Sequence, residues 1–129
     1  RLNELLIYDY KSGKPPTLKQ LEIFHKQLIL EALIAENGGF KNIPAARVIS
    51  ICYISLNNAH PNTEKIIKRE DIEKIKKEIA QLVSYYNSDI TGFTARLRME
   101  KLEIVSDYDH LARYGEWDET NSPEKMLLK

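Results

Sequence analysis

Apolar positions change their rhythm from block to block along the chain, and each rhythm predicts an element. Leu5-Leu6-Ile7 runs into Tyr8-Asp9-Tyr10-Lys11 and is closed by Ser12-Gly13. A short apolar run bounded by turn residues predicts a buried strand over 5–11, suited to be the second arm of a hairpin whose partner precedes Arg1. Alternate side chains of a strand share a face, so Asp9 and Lys11 point one way and Tyr10 the other. Pro15-Pro16 denies the next stretch both helix and ladder hydrogen bonds and makes 12–16 a loop. Thr17 with Gln20 has the form of a capping box. Beyond it Leu21, Phe24, Leu28, Ala32 and Ala35 recur at helical spacing, which predicts one helix over 18–37. Gly38-Gly39 supplies its left-handed stop.

The rhythm then becomes nearly continuous. Arg47 to Leu56 is β-branched and apolar, as in a strand covered on both faces within a parallel or mixed sheet. A polar turn with Pro61 follows. Residues 64–69 either pair back as a short strand or open the next helix, and the strand is preferred. Over 71–87, Ile72, Ile75, Ile79, Leu82, Val83 and Tyr86 line one side of a predicted helix. The charged run from Lys65 to Glu78 is its solvated face, with i,i+4 pairs worth about 0.2–0.5 kcal/mol each. Residues 91–104 are basic and less regular, 106–117 predict a short helix or compact turn, and 118–129 a flexible tail. The expected organisation is one α/β domain over 1–117, a mixed sheet flanked by helices.

Composition narrows the function classes. The chain has 129 residues, 43% hydrophobic and 29% charged, ordinary for a globular domain. Lys plus Arg and Asp plus Glu number 19 each, so no overall positive field advertises a nucleic-acid coat. One cysteine, Cys52, excludes a disulfide framework and any site built on several cysteines, and fits a reducing, cytoplasmic setting. No apolar run reaches the ~20 residues of a membrane span, and there is no signal peptide, so no membrane role is expected. The first residue is Arg1 rather than Met, and a piece of a longer protein is expected.

The candidate chemistry sits at the end of the first strand. A carboxylate and an ammonium side by side there are costly unless something needs both; otherwise they are an exposed ion pair worth about 0–1 kcal/mol. Asp9-Tyr10-Lys11-Ser12-Gly13, followed on the next helix by Gln27-Leu28 with Glu31, resembles the Asp-Tyr-Lys-(Thr/Ser)-Gly and Gln-centred motifs of the RecB-type branch of the PD-(D/E)xK nuclease superfamily. Three stretches, Asp9 to Pro16, Gln27 to Gly39 and Asp107 to Trp117, are similar to the C-terminal nuclease domain of AddB-like double-strand-break repair proteins. The resemblance implies a restriction-endonuclease-like core, here incomplete at its N-terminal side.

It also implies Mg²⁺-dependent exonucleolytic cleavage of DNA, with single-stranded ends as substrate and a helicase–nuclease subunit as partner. Asp9 and the Tyr10 backbone carbonyl would hold Mg²⁺, with Mn²⁺ as a substitute. Lys11 would attend the attacking water, and Gln27 would act with them. Gln27, Glu31, Arg96 and Arg98 would meet the DNA. The branch places another metal-binding Asp on the preceding strand, which would lie before Arg1. The four-cysteine iron–sulfur cluster of some members has no counterpart.

Other candidates are weaker. His25 and His110 read as surface or supporting side chains. Asp107, Asp109 and His110 fan round a helix and read as capping and packing. Arg96, Arg98 and Lys101 near Phe93 suit either a single strand of nucleic acid or a solvated basic surface. Cys52 and Trp117 read as core. The alternative function is a catalytically inactive remnant that binds DNA or a partner protein.

Overall fold

The computed structural model describes residues 4–89, 91–92, 109–111 and 113–117. Two compact units divide the chain, Arg1–Ala80 and Gln81–Lys129. The first is an α/β unit around a three-stranded mixed sheet. In chain order come β1 (Glu4–Lys11), α1 (Leu18–Ile23), α2 (Gln27–Glu36), β2 (Arg47–Ser55), β3 (Thr63–Ile66) and α3 (Arg69–Tyr86), which runs on into the second unit. The sheet order is β1-β2-β3. β1 and β2 are parallel, which requires the crossover that α1 and α2 supply, whereas β2 and β3 are antiparallel across a short polar turn. That turn is closed by side chains: the Ser55 amide donates to Asn62 Oδ1 at 2.9 Å, and the Ser55 hydroxyl to the Asn57 carbonyl at 2.8 Å. The preferred reading of the stretch after Pro61 as a strand agrees with β3.

The expected strand over 5–11 and the buried strand from Arg47 are both present. One face of the sheet, carrying Leu5, Ile7, Val48, Ile51 and Tyr53, packs with Leu21, Leu28, Ala32, Ala35, Ile67 and Ile72 into the core. Among the described residues the other face of β1 is left open, with Leu6, Tyr8 and Tyr10 exposed. A register shift between Leu5 and Leu6 lets β2 carry one extra residue against β1 there.

The single helix expected over 18–37 is in fact two. The Phe24 and His25 amides share the Gln20 carbonyl, at 2.9 and 3.1 Å, and the Lys26 ammonium takes the Glu22 carbonyl. The run Ile23-Phe24-His25, β-branched or aromatic throughout, supports a helix poorly at this point. The ladder restarts with the Leu30 amide donating to the Lys26 carbonyl at 3.0 Å. Leu21, Leu28, Ala32 and Ala35 keep the expected apolar stripe across the break, while Phe24 leaves it and is exposed.

Both helix ends follow the predicted chemistry. Thr17 and Gln20 form the capping box, with the Thr17 amide donating to Gln20 Oε1 at 2.8 Å and the Gln20 amide to Thr17 Oγ1 at 3.3 Å. After α2, Gly38 takes φ +69°, the Gly39 amide donates to the Ile34 carbonyl and the Gly38 amide to the Ala35 carbonyl, the two bonds of a Schellman stop.

α3 starts earlier than the expected residue 71. Asp71, in its first turn, accepts the Lys68 amide on Oδ2 and the Lys65 ammonium on Oδ1, each at 2.9 Å. Its apolar stripe buries Ile72 and Ile75 and then parts from the expectation, for Leu82 and Val83 are exposed. In the second unit the described residues of the 106–117 stretch are turns. The Tyr114 amide donates to the Asp109 carbonyl at 2.9 Å, Arg113 has φ +52°, and the Tyr114 and Trp117 rings meet edge to face at 5.7 Å. The basic stretch with Phe93, Arg96, Arg98 and Lys101, together with Asp107 and the tail over 118–129, lies outside the described residues.

Candidate active site

β1 delivers Asp9 and Lys11 to the same face, as the strand period requires, and to the face that the helices cover. Asp9 stands opposite Tyr53 of β2 and Lys11 opposite Ser55. Lys11 Nζ is 2.8 Å from Asp9 Oδ2, and the two side chains keep 36% and 23% of their exposure. The pair is thus neither an exposed strand-end pair nor a fully buried one. Asp9 Oδ2 itself is shut off from solvent and receives no hydrogen bond; the ammonium touches it as an ion but off the line that a hydrogen bond needs.

Below the ammonium lies the ring of Tyr53, its centroid 5.4 Å from Lys11 Nζ. Tyr53 is 1% exposed and is among the largest fully buried side chains. From the helix layer, Gln27 Nε2 donates to Glu31 Oε1 at 3.1 Å, one turn apart on α2. The Glu31 charge acts on both Lys11 and Tyr53. Glu31 is thus within electrostatic reach of the β1 pair, and Gln27 is tied to Glu31. The close Asp9 contact holds the Lys11 ammonium above its ordinary range, against a smaller opposing effect of burial, with Tyr53 and Glu31 adding to the rise. Burial pushes the Tyr53 phenol up, opposed by the Leu28 backbone amide and by Lys11.

Backbone geometry adds one more oxygen. The Lys11 carbonyl accepts the Leu56 amide at 2.9 Å and so faces β2. Successive carbonyls of a strand alternate in direction, so the Tyr10 carbonyl turns to the outer edge of β1, which no described strand pairs. The Asp9 carboxylate and the Tyr10 carbonyl are hard oxygen donors of the kind that Mg²⁺ prefers, the rest of whose shell is commonly water. Among the described residues no group of three or more His, Cys, Asp or Glu side chains gathers to hold a metal ion.

The remaining candidates fall elsewhere. His25 lines a pit of about 40 Å³ with Leu21, Lys65, Asp71 and Glu78, whose lining includes neither Asp9 nor Lys11. Cys52 is buried in β2, where desolvation raises its thiol and, with it, the cost of forming the nucleophilic thiolate. Arg96 and Arg98 lie outside the described residues. Tyr53 is the residue that sequence reasoning missed. The only signal for it was a single aromatic side chain inside β2, and that points nowhere until the register with β1 is known.

The chain is similar to an uncharacterized protein of Rickettsia bellii, with 32% identity over 127 residues, covering 84% of this chain and 15% of that protein. It is also similar to an uncharacterized protein of Rickettsia conorii, with 26% identity over 137 residues, covering 86% of this chain and 16% of that protein. It thus spans about 15–16% of the length of the curated relatives it matches. No protein-family model matches it, and no solved structure matches it significantly.

Proposed function

We propose that this chain is part of a Mg²⁺-dependent DNA nuclease of the RecB-type PD-(D/E)xK kind, acting exonucleolytically on broken ends within a cytoplasmic helicase–nuclease assembly. The observation that carries the reading is the Asp9–Lys11 pair at the end of β1, set over Tyr53 with Glu31 of α2 in electrostatic reach. The parallel β1–helix–β2 unit, with the pair on the C-terminal half of β1, agrees with the element order that the motif implies.

In this reading the Asp9 carboxylate and the Tyr10 carbonyl would hold the ion. When bound, Mg²⁺ polarises a phosphoryl oxygen and lowers the pKa of its bound water. Lys11 orients the attacking water and donates to the phosphate oxygen on which charge builds. Paired with Asp9, it serves there as a cation and hydrogen-bond donor. Gln27 restrains Glu31 and presents an amide toward the strand being cut.

The test is digestion of linear single-stranded DNA by the full-length protein with and without Mg²⁺. Cleavage is expected to need the ion and to fall by about 10²-fold or more in Asp9→Ala and in Lys11→Ala. If both variants digest DNA as fast as the parent, the site is misassigned. A parent that binds DNA without cutting it would instead favour the inactive, binding-module reading.

A further inference from the structure

We propose that Tyr53 is the positioning residue of this site: its ring is the platform that holds the Lys11 ammonium beside Asp9. The functional weight of this inference rests on the nuclease reading; the geometry does not.

Two features of the fold converge on Tyr53. The first is the register. β2 sets Tyr53 directly opposite Asp9, so its ring lies beneath the side chain two residues further along the same face of β1. Lys11 is more than a third exposed and ends a long flexible stem. A carboxylate alone fixes one direction of such an ammonium, and the ring face fixes a second. The ring also attracts the cation without taking a proton from it, so the remaining N–H groups stay free for a phosphate oxygen or a water.

The second feature is burial. Tyr53 is 1% exposed and lies in the core with Leu28 and Ala32 of α2, so its ring is held in place beneath the ammonium.

One experiment on the full-length protein, read by nuclear magnetic resonance and by cleavage, tests this. In the parent the Lys11 ε-methylene protons should be shifted upfield by the ring beneath them. Tyr53→Phe should keep that shift, since the ring stays. Tyr53→Leu should abolish the shift and lower kcat about 3–10-fold with KM little changed. Should the Leu variant fail to fold, ring-fluorinated phenylalanine at position 53 keeps the shape and weakens the attraction for the cation, and kcat should fall as fluorines are added.

Lys11 methylene protons at unperturbed positions in the parent would overturn the platform. A parent that shows the shift yet cleaves no DNA would leave Tyr53 in this role and sink the nuclease reading alone.

Discussion

Whether Asp9 and Lys11 are retained for chemistry or for stability can be decided by removing them in the right order. Lys11→Leu takes the only cation in ion-pair contact with Asp9 among the described residues and leaves a carboxylate whose Oδ2 has neither water nor a hydrogen-bond donor. Stranding such a group costs about 1–3 kcal/mol. The favourable side of the intact pair is smaller. Lys11 is more than a third exposed, so solvent screens the attraction to about 0–1 kcal/mol. Replacing both residues, Asp9→Leu with Lys11→Leu, removes the stranded charge and extends the Leu5 and Ile7 face of β1 with apolar groups. Such replacements are commonly neutral or stabilising.

The single variant should therefore be about 1–3 kcal/mol less stable than the parent in urea unfolding followed by circular dichroism, and the double variant should return to within about 1 kcal/mol of it or exceed it. The pH dependence has a fixed sign. Asp9 holds the Lys11 ammonium above its ordinary value of 10.5, so its contribution is complete below that value and is lost as pH rises through the higher folded one. That alkaline loss should be present in the parent and absent from both variants. If the double variant is as unstable as the single one, the pair is a structural tie and the case for a reactive site weakens with it.

Asp71→Ala removes the carboxylate that accepts the Lys68 amide and the Lys65 ammonium, and should cost about 1–2 kcal/mol in urea unfolding near neutral pH. Burial raises the Asp71 carboxyl, but the Lys65 ammonium and the Lys68 amide outweigh it and hold the group below its ordinary 3.8. Its contribution is therefore full above that value and fades as pH falls through the lower folded one, so the deficit of the variant should shrink in strong acid. Gly38→Ala should cost about 1–2 kcal/mol by the same assay, because φ is +69° there while the added Cβ would meet Ala45 Cβ at an ordinary 3.5 Å. A deficit near zero would mean that the helix stop relaxes without its left-handed residue.

Local features of this fold were legible in the chain because their physics is local. The Thr17–Gln20 box, the Gly38 stop and the strand bounded by Ser12-Gly13 each depend on residues within a few positions of one another. The break at Phe24 was not legible. Without Pro or Gly, nothing in the periodicity forbids one continuous helix, and the outcome turns on shared carbonyls and on the Lys26 ammonium reaching the Glu22 carbonyl. The end of the buried stripe on α3 was hidden for a different reason. Ile79, Leu82 and Val83 keep the helical spacing, but spacing reports which side is apolar and not how far along the helix a covering layer extends.

The site divides along the same line. Alternation along one strand put Asp9 and Lys11 on one face, and a single helical turn put Gln27 beside Glu31. The ring beneath Lys11 comes from a tyrosine of another strand, and its place there follows from the parallel register of β1 with β2. That register is not written at position 53. The resemblance of the Asp-Tyr-Lys-Ser-Gly stretch to the nuclease motif concerns residues that would touch substrate and ion. It says nothing of the residue beneath them, because a platform is specified by what it supports. A lysine that must stay mobile enough to follow a reacting phosphate, yet ordered enough to meet it, is better served by a ring face than by a second carboxylate, which would add charge at the point where a phosphate must enter.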